Sequence, residues 1–404
     1  MTIMTSMRQA LLAVSFASLF CTSLTAQEAP GDASALQRIG EGNRDFAFES
    51  FAHIRCDKPN LAYSPLGVSA FYAMVYAGSR GQTAQELARV LNYPPSREKT
   101  LTSFGKLQKS LRTLPESEGL TLDVANSIWS STALRPAFLK LIKSNLGAES
   151  HLIDGVSRTQ RKMDDWVNLK TRGLIEECPV NLTRYTDFVL MNAVYFKADW
   201  ANAFTPEYTL DTDFHLSNGD VVQVPMMNQS AFYQYGETEE LQIISLPYQD
   251  DRFSMLVVLP DEDVSIDDLE ASLTPEAVGR WSESLEHQRV RLSLPRFEIR
   301  SSIDLNDMLQ SMGMPGEVFL APDIAGITPK GDVEIGSSIQ EVVLIVDEKG
   351  TEAAAVTAVV FGASGRLTRT AAFTADRPFL FLLRDQVDGT ILFMGRVKDP
   401  RKTT

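Results

Sequence analysis

Histidine and cysteine, which carry much catalytic and metal-binding chemistry, are scarce: four histidines and three cysteines occur among 404 residues. No histidine lies in a His-Glu-x-x-His motif and no Cys-x-x-Cys pair is present, so a zinc site has no support. The Gly-x-Ser-x-Gly turn of many hydrolases and the phosphate-binding Gly-x-x-x-x-Gly-Lys-Ser/Thr loop are also missing. We therefore predict no metal, no cofactor and no enzymatic activity. A serine hydrolase whose triad is built from distant residues would leave no such motif, and it stays as a third alternative.

Beyond its first residues, the sequence has no apolar run long enough to span a membrane. Residues 1–26 carry a basic residue, Arg8, then a mainly apolar run of eleven residues from Ala10 to Phe20, then mostly small residues. This layout is typical of a secretory signal peptide. We expect its removal and secretion of the mature chain, residues 27–404, into the extracellular space, or into the periplasm if the source is a Gram-negative bacterium. We expect no membrane association.

Positive charge is in deficit, since 38 lysines and arginines face 52 acidic residues and leave a formal net charge of −14. An acidic surface argues against nucleic acid or anionic lipid as the main partner. The segment Arg97–Arg112 is locally basic, and we interpret it as a solvated helix face rather than a polyanion site. The mature chain keeps Cys56 and Cys178, which can pair in an oxidising compartment but make no disulfide framework. We expect a monomer.

The order of the predicted elements indicates an α+β fold. Helical patterns dominate the first half, where Thr83 and Glu86 have the spacing of a capping box. The second half holds short, continuously apolar runs, typical of strands covered on both faces: FVLMNAVYF, FSMLVVLP, VVLIV and PFLFLL. Asp388-Gly389 predicts the turn of a hairpin near the C-terminus. No linker, repeat or low-complexity tract interrupts residues 27–404, so we predict a single domain.

Proline is absent from a long stretch between residues 350 and 377. Inside it, small, strand-compatible residues alternate at Thr351, Ala353, Ala355 and Thr357. If this segment entered a sheet, its period of two would send these four side chains to one face. Every backbone N–H there could join a hydrogen-bonded ladder. From composition alone, a surface loop or an alanine-rich helical turn is the simpler interpretation.

Six segments resemble, in the same order, segments of the serpins, the serine protease inhibitor family. They are NLAYSPLGVSAFYAMVYAGSRGQTAQEL, LMNAVYFKADWANAF, ISLPYQDDRFSMLVVLP, LPRFEIRSSIDLNDMLQSMGM, VDEKGTEAAAVTAV, and FTADRPFLFLLRD with ILFMGRVKDP. The resemblance covers nearly the whole mature chain. It implies three β-sheets, about nine helices and an exposed reactive-centre loop at about residues 349–372. The fifth segment resembles the family's hinge, which here comprises Glu348, Gly350, Thr351, Ala353, Ala355 and Thr357.

The resemblance also implies a mechanism, that of an irreversible suicide-substrate inhibitor. A serine endopeptidase, or alternatively a cysteine endopeptidase, cuts the loop and forms an acyl-enzyme. The cut loop then inserts into the central sheet and traps the enzyme, driven by a metastable native fold. A non-inhibitory serpin acting as a chaperone or carrier is the alternative. Such members tend to have bulky, charged or proline-containing hinges, unlike this one.

By resemblance, a hydrogen-bonded cluster of Ser64, Asn192 and Gln340 holds the centre of the large sheet. Gln340 replaces a usual His, Gly67 a second usual Ser, and Glu341 a usual Lys. Because Gln both donates and accepts hydrogen bonds, the cluster can persist, but without the pH response of a His.

The resemblance further places Glu348, at the base of the hinge, opposite Arg296 and close to Trp200 and Lys197. An ion pair there would tether the hinge and help to keep the sheet closed. These residues and the central cluster are our predicted controls of sheet opening.

Family spacing puts the reactive bond at Ser364–Gly365, and the alternative is Arg366–Leu367. A serine at the cut site suits proteases with small or permissive primary pockets, such as elastase-like or subtilisin-like enzymes. Arg366 would instead suit the acidic pocket of a trypsin-like enzyme.

Overall fold

The computed structural model describes residues 30–54, 58–112, 120–180, 182–249, 251–331, 333–351 and 370–402. The predicted signal peptide, Cys56, and the hinge and reactive-bond residues between 352 and 369 lie outside these ranges. No helix within them is long and apolar enough to cross a membrane.

Ten α-helices and one short 3-10 helix, Pro206–Tyr208, are found in the described residues. The α-helices are α1 (Pro30–His53), α2 (Pro65–Gly78), α3 (Gly81–Val90), α4 (Arg97–Arg112), α5 (Pro136–Leu146), α6 (Val156–Lys170), α7 (Ile266–Ser272), α8 (Pro275–Glu283), α9 (Leu305–Ser311) and α10 (Glu317–Leu320).

Fifteen strands accompany them in the same part of the chain. They are β1 (Leu61–Tyr63), β2 (Leu120–Ser130), β3 (Glu149–Leu152), β4 (Phe188–Asp199), β5 (Leu210–His215), β6 (Val221–Glu237), β7 (Leu241–Pro247), β8 (Phe253–Pro260), β9 (Glu286–Pro295), β10 (Phe297–Asp304), β11 (Ile335–Val346), β12 (Gly350–Thr351), β13 (Ala371–Thr374), β14 (Phe379–Asp385) and β15 (Ile391–Val397).

A six-stranded sheet, in the order β10-β11-β12-β4-β2-β3, carries the candidate site. Its two central long strands, β11 and β4, run parallel and pair directly from Ile335 opposite Phe188 to Val343 opposite Tyr195. Beyond that stretch the two-residue strand β12 lies between them. The sheet is therefore closed along most of its centre and parted at one end.

The remaining strands form a nine-stranded sheet in the order β1-β15-β14-β8-β7-β6-β9-β13, with β5 paired to β6. Strand β6 is 17 residues long and pairs with β5, β9 and β7 along its length. Because β6 joins these strands in one hydrogen-bonded sheet, the described strands form two sheets where three were expected. The α+β fold is confirmed, with ten α-helices in the described residues where about nine were expected.

Helix α2 is buried between the two sheets, where it contacts β4 and β15. Ser64 caps its N-terminus by accepting a hydrogen bond from Gly67 N, and Pro65 occupies the first helical turn, where its missing N–H costs nothing. All its residues except Ala77 are buried, as expected for a helix that is apolar on every side. The cap places Ser64 beside the centre of the six-stranded sheet.

The opposite face of that sheet is covered by α6 and the chain that follows it. Met163 and Trp166 of α6, with Cys178, pack against Trp129 and Met191 of the sheet. Strands β4 and β11 are thus covered on both faces, in agreement with their continuous apolar runs.

Two local predictions meet different outcomes. The hairpin is confirmed: Gly389 takes a left-handed φ of 74° between β14 and β15. The capping box is wrong, because α3 begins at Gly81 and Thr83 lies inside its first turn. The Thr83 hydroxyl instead accepts a hydrogen bond from the backbone of Asp323, 240 residues away (2.9 Å). A tertiary partner has replaced the local one.

Candidate functional site

The chain turns back on itself at Asp347 and enters the parted end of the sheet as β12. Thr351 pairs antiparallel with Val346 of β11 on one side and with Ala198 of β4 on the other. The predicted hinge therefore starts as a strand lodged between the two strands that an inserted loop would separate. Residues 353, 355 and 357 of the predicted hinge lie outside the described residues.

Gly350 sits where a larger residue has no room. A Cβ atom at this position would lie 2.0 Å from the carbonyl oxygen of Ala198. Asp347 closes the turn, because its Oδ1 accepts hydrogen bonds from the backbone N–H of Lys349 (3.0 Å) and Gly350 (3.3 Å). Burial raises the pKa of the Asp347 carboxyl, and these two bonds oppose the rise.

Two hydrogen-bond donors hold the Glu348 carboxylate at the parted end of the sheet. Its Oε1 accepts hydrogen bonds from Arg296 Nη2 and from the hydroxyl of Thr209 (2.7 Å). Partial burial favours the neutral acid, but the bonds from Arg296 and Thr209 outweigh it and hold the pKa of Glu348 below its ordinary value. Glu348 is therefore ionised at neutral pH, and the predicted Arg296–Glu348 ion pair is present in the structure.

Trp200 connects the hinge to both sheets. Its indole Nε1–H donates to the carbonyl of Asp347 (3.0 Å), and its backbone N–H donates to the carbonyl of Lys349 (2.8 Å). The indole stacks on Tyr248 with ring centroids 4.6 Å apart. The Tyr248 hydroxyl in turn lies 2.8 Å from Oγ1 of the fully buried Thr351.

Lys197, predicted to lie beside these residues, is on β4 in register with Thr121 of β2. Among the described residues it makes no hydrogen bond or ion pair with the hinge. The cation that reaches toward β4 is Lys349 of the hinge itself, whose Nζ lies 3.4 Å from Asp199 Oδ2.

The three residues predicted to hold the centre of the sheet meet around Gln340, which is fully buried. Its Oε1 accepts from the backbone N–H of Ser64 (2.9 Å), and its Nε2 donates to the Ser64 carbonyl (2.9 Å) and to Asn192 Oδ1 (2.8 Å). The Ser64 hydroxyl donates to the carbonyl of Leu392 on β15 (2.7 Å).

A residue that the sequence analysis missed extends this network to the next strand. Asn192 Nδ2 donates to Asn126 Oδ1 on β2 (2.8 Å) and to the carbonyl of Ala125 (3.3 Å). The signal in the sequence was an Asn within the otherwise strand-like run LTLDVANSIWS. A polar amide on a strand of a buried sheet needs hydrogen-bond partners. The network thus ties β11, β4 and β2 to α2 and β15.

A protein-family model described as Serpin (serine protease inhibitor) matches residues 41–400. The chain belongs to the serpin family. It is 34% identical over 363 residues to an uncharacterized serpin-like protein of Thermococcus kodakarensis, covering 88% of this chain and 84% of the relative. It is 32% identical over 384 residues to the human leukocyte elastase inhibitor, covering 90% of this chain and 100% of the relative. The crystal structure of human thyroxine-binding globulin superposes with a TM-score of 0.82 and 28% identity, over 92% of this chain and 100% of the other.

Gly67, which replaces a usual Ser, packs directly against the cluster. A Cβ at this position would lie 2.7 Å from Asn192 Oδ1, 2.7 Å from Val194 Cγ2 and 2.9 Å from Gln340 Nε2. Real Cβ contacts are longer, so a serine at position 67 would require these side chains to shift. The glycine therefore leaves room for the Gln340 amide and for the two side chains of β4.

Proposed function

We propose that this serpin is a secreted inhibitor that traps serine endopeptidases by inserting its cleaved loop between β4 and β11. The observation that supports this most is β12, which already runs antiparallel to both strands at the parted end of the sheet. Continuing that strand by about 15 residues at ~3.3 Å each would carry an attached enzyme about 50 Å. Inserting it requires the Gln340–Asn192 hydrogen bond to break or rearrange.

The covalent step uses ordinary serine protease chemistry. The protease hydroxyl attacks the carbonyl carbon of the reactive residue, the peptide C–N bond breaks, and the amine of the next residue leaves with the proton. The product is an ester between the two proteins. Trapping succeeds if insertion removes the enzyme's catalytic geometry before water hydrolyses that ester. A cysteine endopeptidase would form a thioester in the same way.

The small side chains of the hinge fit the space that insertion would fill. Thr351 is fully buried, and residues 353, 355 and 357 would face the same side if the strand continued. Ala355→Arg should turn the inhibitor into a substrate, because burying an unpaired charge in the sheet is costly. The matched control is Ala271→Arg, at an exposed position on α7.

The test is incubation with a panel of elastase-like, subtilisin-like, trypsin-like and cysteine proteases, followed by denaturing electrophoresis. We expect complexes that survive SDS with the wild type and with Ala271→Arg, and cleavage without a complex for Ala355→Arg. A parental yield of complex from Ala355→Arg would show that insertion is the wrong mechanism.

Within this proposal the reactive bond is Ser364–Gly365, which favours elastase-like or subtilisin-like targets, and Arg366–Leu367 is the alternative for trypsin-like targets. Mass spectrometry of the C-terminal fragment released on complex formation decides between them. A fragment that starts at Gly365 supports the first bond, and one that starts at Leu367 supports the second.

A non-inhibitory carrier is the second candidate, favoured by the structural likeness to thyroxine-binding globulin. The two candidates differ in what cleavage of the loop does to stability. Insertion would release the strain of a metastable fold and raise the melting temperature sharply, whereas a carrier that does not insert would melt unchanged. N-terminal sequencing of protein recovered outside the producing cells tests secretion, since removal of residues 1–26 leaves Gln27 first.

A further inference from the structure

The outward face of strands β6, β9 and β13 carries six exposed side chains that are positive or neutral. We call it the cationic face and define it by Ser230, Phe232, His287, Arg289, Arg291 and Ala372, all of which are exposed. In the register of the sheet, Phe232 lies opposite Arg289, and Ser230 lies opposite Arg291, which has Ala372 on its other side. Paired residues of neighbouring strands point to the same side, so these side chains share one surface.

Two carboxylates on neighbouring strand positions, Glu286 and Asp211, fall on the other side of the sheet. Glu286 pairs with the buried Tyr235, and the strand alternation directs it away from His287 and Arg289. On β5, Asp211 pairs with Pro225 of β6. Pro225 is five residues from Ser230, and because side chains alternate along a strand, Pro225 and its partner Asp211 face the other side of the sheet. The cationic face therefore stands out in a chain with a net charge of −14.

The composition of this face is that of a protein-binding surface. Phe232 is 56% exposed and stacks on His287 with ring centroids 5.4 Å apart. Arg289 donates its Nε–H to the Ser230 hydroxyl (3.3 Å), and neither it nor Arg291 forms an ion pair with a described residue. Exposed aromatic and arginine side chains are enriched where proteins bind each other.

The face also adjoins the end of the reactive-centre loop. Strand β13 begins at Ala371, within the last residues of the predicted loop, so the loop ends slightly earlier than predicted; the next residue, Ala372, pairs with Arg291. Six residues lie between Ser364 and Ala371, which makes seven steps of at most about 3.6 Å each, so the proposed reactive bond is at most about 25 Å from β13. A protease domain of ordinary size has a radius of gyration of about 17 Å, so an enzyme that holds this bond is within reach of the cationic face.

We propose that the cationic face is a docking surface for the target protease and selects enzymes with acidic side chains beside their active-site cleft. This inference rests on the proposed inhibitory function and adds to it a partner of stated charge. Complementary charge mainly raises the rate of encounter and makes that rate depend on salt. The cationic face would select which proteases dock, and the reactive-centre loop would then react with the docked enzyme.

The test compares the double variant Arg289→Ala/Arg291→Ala with the wild type in association kinetics against the proteases that form complexes. A matched control, Arg38→Ala/Arg280→Ala, removes one exposed arginine from α1 and one from α8, and neither forms an ion pair with a described residue. We expect the first variant to associate about 10-fold more slowly at low salt, with a smaller difference at high salt and an unchanged stoichiometry of inhibition. We expect the control to match the wild type, and Phe232→Ala to slow association at both salt concentrations.

Equal association rates for the wild type and the double variant against every protease that forms a complex would overturn the proposal. So would an effect of the arginines that exists only when heparin is added, since the face would then bind a polyanion. If the wild type traps no protease, the proposed function fails instead. Binding of the variants to acidic proteases with the active-site serine changed to alanine then decides the role of the face, and an affinity independent of the arginines would refute it.

Discussion

A buried carboxyl at the centre of the sheet gives this serpin a predicted dependence of stability on pH. Glu341 is only 6% exposed, and its Oε1 has no hydrogen-bond partner among the described residues. It lies between Ser302 of β10 and Ala193 of β4 on the covered face of the sheet. Burial raises the pKa of Glu341 to about 7, although a hydrogen bond with Ser302 and the charge of Lys58 oppose the rise. The nearby thiol of Cys178 is neutral, since burial raises its pKa to about 12.

The size of the effect follows from the difference between the folded and unfolded pKa values. Below the ordinary pKa of 4.5 the carboxyl is protonated in both states. As the pH rises from there to about 7, the unfolded chain loses the proton while the folded chain keeps it, so the folded state becomes progressively less stable. The total loss above pH 7 is about 3 kcal/mol, at about 1.4 kcal/mol for each unit of pKa.

Glu341→Gln keeps the shape of the side chain and removes its ionisation. For a domain of roughly 380 residues, about 3 kcal/mol corresponds to about 4 °C in melting temperature. We therefore expect the variant to melt about 4 °C above the wild type at pH 8, and the difference to shrink toward pH 5. The assay is thermal unfolding of both proteins at one fixed scan rate across this pH range, because the midpoint of an irreversible transition depends on the scan rate.

The control is Glu239→Gln, which changes an exposed carboxyl to an amide. It should melt with the wild type at every pH in the series. A difference between Glu341→Gln and the wild type that stays constant from pH 5 to pH 8 would refute the reasoning, because only ionisation of Glu341 makes the difference change with pH.

Three further predictions concern the closed sheet. Glu348→Lys would place a second cation beside Arg296 at the hinge. A partly exposed ion pair is worth only ~1 kcal/mol, but we expect its loss to increase polymers on warming, measured by gel filtration. An unchanged yield of monomer would count against the Arg296–Glu348 pair as a tether. Gly67→Ser should destabilise the native form by about 1–3 kcal/mol. Adding Gln340→His should change the destabilisation caused by Gly67→Ser, because the two sites are in contact. Strictly additive shifts in melting temperature would disprove the coupling. Tyr248→Phe removes the hydroxyl that contacts Thr351, a hydrogen bond worth about 1 kcal/mol, and should speed heat-induced polymerisation several-fold. Polymerisation at the parental rate would show that this contact does not hold the hinge.

Local patterns along the chain were enough for some features of this serpin. Asp388-Gly389 predicted its hairpin because a left-handed glycine in a two-stranded turn is a property of neighbouring residues. The continuous apolar runs predicted strands covered on both faces, since burial of such strands requires no particular partner. The order of six segments was enough for the family. The alternation of small residues from Thr351 to Thr357 suggested a latent strand, and its insertion stays a prediction.

Contacts between distant segments could not be predicted from those patterns. Gln340 is 276 residues from Ser64, and only the folded sheet shows that one amide satisfies both its backbone groups while Gly67 leaves it room. Thr83 had the spacing of a cap, yet its hydroxyl serves a loop 240 residues away. The cationic face exists only because the register of β6, β9 and β13 gathers side chains from three segments. Sequence determines what each residue can do locally. Tertiary packing decides which polar groups meet and which carboxyl, such as Glu341, is buried. The reason is that the energy of a buried group depends on neighbours that the chain brings together only when it folds.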